Sequence, residues 1–297
     1  YPLHIVVLAA IVAFELVLVI FGETLYKYVS RPPITGTREV GSLLQSVFIL
    51  QSFGNPGNTG WNFPAWSIAA ELWTYALFAF IFLAGKRSLL MISGALAIVC
   101  TAAMMSYAPD LNHVTFNGGI LRCISGFGIG VITYHAFCRY GGLGGNVWEI
   151  AALLLTFGYV WFAIDRATFI APVLFGGMIF ILASQRGVVS RALSATVFQK
   201  LGLVSYSIYM IHVFVQQRLG DALQLTGIAG IKNDAEGRSI LDASPLLADL
   251  ITLAMLVMLV IGAFITYYLI EKPGRDLPRK WLGRTPSPAP EPAGAKD

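Results

Sequence analysis

The feature that most constrains this chain is a series of long apolar runs. The first run, YPLHIVVLAAIVAFELVLVIF, opens the sequence, and a helix needs about 20 mostly apolar residues to cross the hydrocarbon core of a bilayer. Of all residues, 56% are hydrophobic and 12% are charged, which is about half the charged share of a typical soluble domain. The runs are continuous and do not alternate with polar residues, which favours helices over a β-barrel. We therefore expect an all-α fold, a polytopic transmembrane helical bundle.

Short polar breaks divide the apolar sequence into about eight candidate spans. A further apolar stretch at 41–53 is too short to cross, and we expect it to be re-entrant or interfacial. Together these segments form one predicted integral membrane domain over residues 1–275, and the Pro/Ala-rich end, 276–297, is predicted to be a disordered tail. The candidate spans are 3–21, 66–84, 88–107, 118–137, 147–164, 168–184, 201–219 and 246–270.

Basic residues in the loops predict the orientation. A cluster follows the last span directly, so we place the C-terminus in the cytoplasm; it comprises Lys272, Arg275, Arg279, Lys280 and Arg284. Successive loops lie on alternate sides of the membrane. Counted back from the C-terminus, the loop NPGNTGWNFP, which lacks charged residues, lies on the outer side. The protein is thus expected in the cell membrane as a multi-pass protein, in a bacterial inner or plasma membrane.

The net charge of +4 is attributed to cytoplasmic loops that face anionic membrane lipids. Because no basic patch is interleaved with aromatic residues, nucleic acid is not an expected partner. The three cysteines form no C-x-x-C pair and no two histidines are four residues apart, so we predict no metal site and no disulfide framework.

Ionisable residues inside predicted spans are candidates for function because their burial is costly. The main cases are Glu15, Glu71, Arg122 and His212. Glu15 has an equally good structural explanation as a partner for a neighbouring helix. Glu71 and Arg122 both lie near the outer ends of their spans, so a buried ion pair competes with a functional carboxylate in a water-filled cavity.

His212 ends the segment LGLVSYSIYMIH, which carries several polar residues. Ser205 and Tyr209 are four residues apart, and Tyr209 and His212 are three apart, so the three share one helix face. With Tyr206 beside it, this polar face predicts either the lining of a cavity or hydrogen bonding between helices.

Several segments together are similar to one family. PAWSIAAELW (64–73) resembles the W-S-[LI]-x-x-E signature of the membrane-bound acyltransferase-3 family. Three further segments resemble later motifs of that family, and YPLH at the start resembles the residues after its basic R-R-x-x-R motif. In chain order the three are RCISGFGIGVI (122–132), LGLVSYSIYMIH (201–212) and YYLIEKPGR (267–275).

The resemblance implies transfer of an acyl group, commonly acetyl, from cytoplasmic acyl-CoA to a hydroxyl of a cell-envelope glycan or lipid-linked sugar. Acyl-CoA, here acetyl-CoA, is then a co-substrate, and no permanently bound cofactor is expected. It also implies two further spans before Tyr1, with a histidine and a basic motif, so we expect the chain to be truncated at its N-terminus and to lack part of the reaction centre.

Within this expectation Glu71 and His212 are the predicted catalytic residues. A carboxylate near hydrocarbon has a raised proton affinity, which suits acid–base work on a sugar hydroxyl. Trp66 and Ser67, one turn nearer the surface, are predicted to bind the sugar, and Arg122 is predicted to pair with Glu71 or with a group of the acyl donor. Ser205 and Tyr206 complete the predicted substrate-binding residues.

Two other classes of protein compete with an enzyme. A proton-coupled transporter or flippase of a small or sugar-containing solute also uses buried Glu, Arg and His, although no inverted repeat is visible in the hydropathy. A non-enzymatic scaffold has no need for the ionisable residues at 71 and 122.

Overall fold

The chain folds almost entirely into helices, as predicted, in a computed structural model that describes residues 1–22, 33–53, 60–115, 117–233 and 239–281. In chain order the helices are α1 (Pro2–Ile20), α2 (Val40–Val47), α3 (Ala65–Leu83), α4 (Lys86–Tyr107), α5 (Gly119–Tyr140), α6 (Asn146–Phe162), α7 (Ala171–Leu182), α8 (Val188–Leu193), α9 (Thr196–Leu203), α10 (Ser205–Thr226), α11 (Pro245–Thr266) and α12 (Lys272–Trp281). Between α10 and α11 a small antiparallel hairpin pairs β1 (Gly230–Asn233) with β2 (Ser239–Asp242).

Six of the eight predicted spans coincide with helices that have the length and hydropathy of a membrane-crossing segment. Within the described ranges, 6 helices are long and apolar enough to cross a membrane: Pro2–Ile20, Ala65–Leu83, Arg87–Tyr107, Gly119–Tyr140, Asp165–Leu182 and Pro245–Pro278. Two of the eight predicted spans do not qualify. The span at 147–164 corresponds to α6, a shorter apolar helix of 17 residues. The span at 201–219 is divided at Val204 between α9 and the polar helix α10.

The structure also describes the short stretch at 41–53 and part of the predicted C-terminal tail. The stretch 41–53 forms α2, of 8 residues, and a turn at Gln51–Phe53; a helix of that length rises only about 12 Å and cannot cross a bilayer. Residues 276–281 lie in α12, so this part of the predicted disordered tail is helical, and residues 282–297 lie outside the described residues.

The chain divides into two compact units. One unit runs from Phe14 to Leu203, and we call it the central unit. The other combines Tyr1–Ala13 with Val204–Asp297, and we call it the terminal unit. Each unit is described here by itself.

Helix α5 is the centre of the central unit and packs against α3, α4 and α7. Its small residues allow this close packing. A Cβ atom at Gly128 would lie 2.5 Å from the carbonyl oxygen of Ser93 in α4, and one at Gly176 in α7 would lie 2.9 Å from Thr133 Oγ1 of α5. Within lipid, helices associate through such close contacts because apolar side chains gain little by leaving apolar tails.

A buried ion pair anchors α1 to the following turn in the central unit. Glu15 is completely buried, and Arg38, from the turn Gly36–Arg38, donates to its carboxylate. The backbone N–H of Ile34 donates to the other carboxylate oxygen at 2.9 Å. Glu15 is therefore a structural partner, as one of its two explanations predicted, but its partner comes from a turn and not from a neighbouring helix.

A second buried carboxylate, which the sequence analysis did not single out, joins α6 to α8. Glu149 is completely buried and accepts hydrogen bonds from Gly187 N at 2.8 Å, Ser190 N at 2.9 Å and Ser190 Oγ at 2.6 Å. A Cβ atom at Gly187 would lie 2.3 Å from this carboxylate. These hydrogen bonds join residues that are far apart in the chain, so Glu149 fixes the loop between α7 and α8 onto α6.

The close α4–α5 contact predicts opposite effects for two glycines on one helix. Gly128→Ala places a methyl group against the Ser93 carbonyl oxygen, and we expect it to lower the free energy of unfolding by about 1–3 kcal/mol. Gly130→Ala is the matched control, because a Cβ atom at Gly130 meets nothing within 4 Å; alanine's helix propensity should leave stability equal or raise it by up to about 1 kcal/mol. Thermal unfolding in detergent measures both, and equal destabilisation of the two variants contradicts this packing.

The ion pair predicts a non-additive effect on stability. Arg38→Met removes the cation that Arg38 places against the buried Glu15 carboxylate, which should cost about 3–5 kcal/mol of folding stability. The double variant Glu15→Met/Arg38→Met removes both charges and should recover a large part of that loss. A double-mutant cycle on thermal stability measures the coupling, and simple additivity of the two single variants rules out a stabilising pair.

Candidate functional site

Glu71 lies on α3 in the central unit and is exposed, which disagrees with the buried ion pair that was one of its two predicted explanations. The hydroxyl of Tyr75, one turn further along α3, donates a hydrogen bond to Glu71 Oε1. A hydroxyl that donates to a carboxylate limits the rotamers that the carboxylate can adopt. Glu71 is thus held by its own helix while its side chain stays accessible.

The face of α3 that carries Glu71 packs against α5 through aromatic rings. The ring of Tyr75 contacts Phe127 edge-on with centroids 5.5 Å apart, and Phe78 lies 4.4 Å from the same ring. Cys123, one turn before Phe127, is close enough to Glu71 for an electrostatic interaction. These contacts fix the position of the carboxylate relative to α5.

Trp66 and Ser67 occupy the first turn of α3 and are both half-buried. A Cβ atom at Gly119 would lie 2.6 Å from the ring of Trp66, so glycine is required there for the ring to pack on the start of α5. Ser67 Oγ donates to the carbonyl oxygen of Pro64 at 3.0 Å. Both residues contribute to local structure, and their half-burial leaves part of each side chain accessible.

The short segment between α2 and α3 packs along the beginning of α3. Ser52 Oγ donates to the carbonyl oxygen of Trp66 at 2.7 Å, and Trp73 Nε1 donates to the carbonyl oxygen of Ile49 at 3.2 Å. The rings of Phe53 and Trp73 meet edge-on at 5.4 Å. The sequence analysis did not single out these residues, although the predicted non-crossing segment pointed to this part of the chain.

Arg122 does not pair with Glu71, so the predicted ion pair is wrong for the described residues. Arg122 is half-buried, and its Nη1 lies 3.4 Å from the carbonyl oxygen of Leu111 in the preceding loop. Neighbouring residues on a helix differ by about 100° in direction, so Arg122 and Cys123 on α5 have different surroundings. Arg122 is directed to the loop, while the carboxylate takes its hydrogen bond from Tyr75.

That loop, between α4 and α5, is itself ordered by a charged group outside the spans. Asp110 Oδ1 accepts hydrogen bonds from the backbone N–H groups of Asn112 and His113, and Asp110 Oδ2 lies 2.9 Å from His113 Nδ1. The hydrogen bond from the His113 ring is the main reason that the pKa of Asp110 lies below its usual value. The ionised carboxylate therefore stabilises the turn to which Arg122 donates.

His212 lies in α10 of the terminal unit and is half-buried. Its Nδ1 is 2.6 Å from the carbonyl oxygen of Tyr209, and the two rings are 5.5 Å apart. A carbonyl can only accept, so this contact assigns the proton to Nδ1 and leaves Nε2 unprotonated in the neutral ring. Among the described residues none is hydrogen-bonded to Nε2, which can therefore accept a proton.

The other polar residues of α10 have different environments. Ser205 is exposed and Tyr206 is half-buried, whereas Ser207, a polar residue of the same segment that was not among the predicted site residues, is completely buried. Ser207 Oγ donates to Glu271 Oε2 at 2.7 Å. Glu271 ends a π-helical turn, Tyr267–Glu271, that links α11 to α12, and such turns occur often at functional sites.

The structure thus gathers the predicted residues into two groups. Trp66, Ser67, Glu71 and Arg122 belong to the central unit, whereas Ser205, Tyr206 and His212 belong to the terminal unit. Each group contains one residue able to exchange a proton: the carboxylate of Glu71 and Nε2 of His212. The signal that could have identified Glu271 in advance is the E-K-P sequence at its position.

Comparison with known proteins identifies the family. The family model Acyl_transf_3, described as an acyltransferase domain, matches residues 3–271. No curated protein and no solved structure matches the chain. Since the family match covers most of the chain and several helices are apolar enough to cross a membrane, this is a multi-pass membrane protein of the acyltransferase-3 family, an enzyme that transfers acyl groups other than amino-acyl groups.

Proposed function

We propose that this acyltransferase moves an acyl group, in the first instance acetyl, from cytoplasmic acyl-CoA to a hydroxyl of a cell-envelope glycan or lipid-linked sugar. The observation that carries the proposal is the exposed carboxylate of Glu71 on a helix apolar enough to cross a membrane. A charge at such a position is too costly to face lipid tails, so it requires water, protein or a polar substrate. A sugar hydroxyl is a suitable polar substrate for a carboxylate base.

The proposed reaction is a transfer between a thioester and an alcohol. Glu71 takes the proton from the acceptor hydroxyl while the hydroxyl oxygen attacks the carbonyl carbon of the thioester. The carbonyl oxygen becomes an oxyanion, the tetrahedral intermediate expels the thiolate of coenzyme A, and the proton held by Glu71 is released to that thiolate or to solvent. The hydrogen bond from Tyr75 keeps the carboxylate in one orientation between these steps.

His212 is the second proposed acid–base residue. Its hydrogen bond to the carbonyl oxygen of Tyr209 fixes the ring with Nδ1 protonated, and Nε2 is then the base. A histidine whose tautomer is fixed in this way can accept a proton from a hydroxyl and return it to a leaving group near neutral pH.

The remaining predicted residues are proposed to bind the substrates. The accessible part of the Trp66 ring suits one face of a pyranose, and Ser67 is one turn before Glu71 on the same face of α3. Arg122, which is not paired with Glu71 and is half-buried, is proposed to contact a group of the acyl donor. In the terminal unit, Ser205 and Tyr206 are proposed as hydroxyl-bearing contacts to substrate near His212.

The proposed location is the cell membrane, in a bacterial inner or plasma membrane, with the C-terminus in the cytoplasm. Support comes from the basic residues that follow the last span, because basic residues are enriched in cytoplasmic loops. In this orientation acyl-CoA approaches the protein from the cytoplasm. The start of α3, with Glu71 further along it, lies towards the outer side.

The proposal predicts a selective loss of activity when Glu71 loses its charge. Glu71→Gln keeps the size of the side chain and can still accept from Tyr75, but it is no longer a base. We expect transfer of labelled acetyl from acetyl-CoA to the glycan to fall by about 10²–10⁴-fold, while membrane insertion and thermal stability stay unchanged. The measurement is acyl transfer by purified full-length protein in liposomes.

Asp249→Asn is the matched control, because Asp249 is also an exposed acidic residue on an apolar helix. We expect its activity to equal that of the unchanged protein. Normal transfer by Glu71→Gln overturns the proposed role of Glu71. Acceptor that crosses the membrane without gaining label supports the carrier alternative over transfer to a glycan.

A separate prediction distinguishes a catalytic His212 from one that only forms a hydrogen bond within its own helix. In His212→Asn the side-chain amide can still donate to the Tyr209 carbonyl oxygen, but the basic Nε2 is lost. We expect acyl transfer to fall by about 10²–10⁴-fold, with unfolding temperature unchanged. Retained activity in His212→Asn together with loss in His212→Leu assigns a purely structural role.

A further inference from the structure

We propose that α12 is an interfacial helix that docks onto anionic phospholipid headgroups of the leaflet next to it. The residues that carry this proposal all lie in the terminal unit, and the docking does not depend on the acyl-transfer chemistry. The argument rests on where α12 begins, on the separation of its apolar and basic residues and on their exposure.

The preceding helix places the start of α12 at the membrane surface. Helix α11 has 22 residues and therefore rises about 33 Å, close to the thickness of the hydrocarbon core of about 30 Å. Tyr267 and Tyr268 follow at its end, and Tyr268 is exposed. Tyrosines are enriched at the boundary between hydrocarbon and headgroups, so α12 begins among the headgroups.

The beginning of α12 is held in place by contacts within the terminal unit. Arg275 donates to the hydroxyl of Tyr267 at 3.2 Å. A Cβ atom at Gly274 would lie 2.6 Å from the side chain of Pro2, so glycine allows α12 to pack on the start of α1. The preceding π-helical turn is tied to α10 by Glu271, which accepts from Ser207.

Beyond these contacts α12 separates basic and apolar residues onto opposite faces. At about 100° per residue, Leu277 and Trp281 share a face with Gly274. Lys272 and Arg275 lie on the opposite side. Leu277 is 53% and Trp281 86% exposed, which is unfavourable in water and suits the boundary between acyl chains and headgroups.

The basic residues of α12 select the kind of lipid: Lys272 and Arg275 form the basic face, and Lys280 lies beside it at the edge of the apolar face. The side chains of Lys272, Arg275 and Lys280 are exposed, and Asp276 is the single acidic residue of the helix. Arg275 and Asp276 are only loosely associated, with Nε and Oδ1 3.8 Å apart. The excess of cations complements the phosphates of anionic lipids, and each such cation near an anionic surface contributes about 1 kcal/mol.

Hydrogen–deuterium exchange of the full chain in lipid nanodiscs tests this docking. One sample contains phosphatidylcholine alone and the other adds phosphatidylglycerol as the anionic lipid. We expect the amides from Leu277 to Trp281 to exchange at least about fivefold more slowly in the anionic nanodiscs, which corresponds to the contribution of one cation. High salt should abolish the difference, because exposed charges are screened.

Matched variants assign the effect to the basic residues of α12. Lys272→Gln/Arg275→Gln/Lys280→Gln should lose the protection, whereas Arg87→Gln/Arg139→Gln/Lys200→Gln removes three exposed cations elsewhere and should keep it. Lys272→Gln/Lys280→Gln spares the Arg275–Tyr267 contact and should still lose most of the protection. It thereby separates a lost surface charge from a destabilised helix.

Each other outcome overturns the proposal. Equal protection in both kinds of nanodisc means that the apolar face alone docks. Protection in phosphatidylcholine nanodiscs upon addition of inorganic phosphate or free coenzyme A means a site for soluble anions. Equal loss in the two sets of triple variants means a general effect of net charge.

Discussion

The inability of hydrocarbon to hydrogen-bond is the constraint on which the structure depends. A polar group removed from water in a membrane protein must find a partner inside the protein, at a cost of several kcal/mol if it does not. The buried carboxylates obey this rule: Glu15 is satisfied by Arg38, and Glu149 is satisfied by two backbone N–H groups and a serine hydroxyl. Ser207 likewise donates a hydrogen bond to Glu271. These contacts fix turns and helix ends at points where apolar packing alone has no preferred direction.

The same constraint explains the packing around α5. Lipid tails are as apolar as the helix surfaces, so helices gain from contact only where their backbones approach closely. Gly128 allows the backbone of α4 to approach, and Gly119 receives the ring of Trp66 from α3. Gly128 therefore positions α4 against α5, and Gly119 positions the beginning of α3, the helix that carries Glu71. The close packing of helices around α5 thus also supports α3, the helix of the candidate catalytic residue Glu71.

The candidate site was only partly predictable from the sequence. Glu71 could be selected because a charge within an apolar run is costly wherever it lies. Its partner could not be selected: Tyr75 lies one turn away on the same helix, while Arg122 has the complementary charge but points to a loop. Arg38 was missed because it lies in an ordinary polar stretch, and only folding brings it to a buried carboxylate.

By itself the sequence determined that the protein is helical, that it is embedded in a membrane and that it resembles one acyltransferase family, because hydropathy, run length and motif order are properties of the chain read locally. Only the tertiary structure decided that Glu71 is exposed, that His212 is fixed through Nδ1 by Tyr209, and that the predicted span at 201–219 is divided at Val204 between α9 and α10. The environment of a polar group depends on which distant segments fold against it, and neither charge nor spacing along the chain specifies those distances.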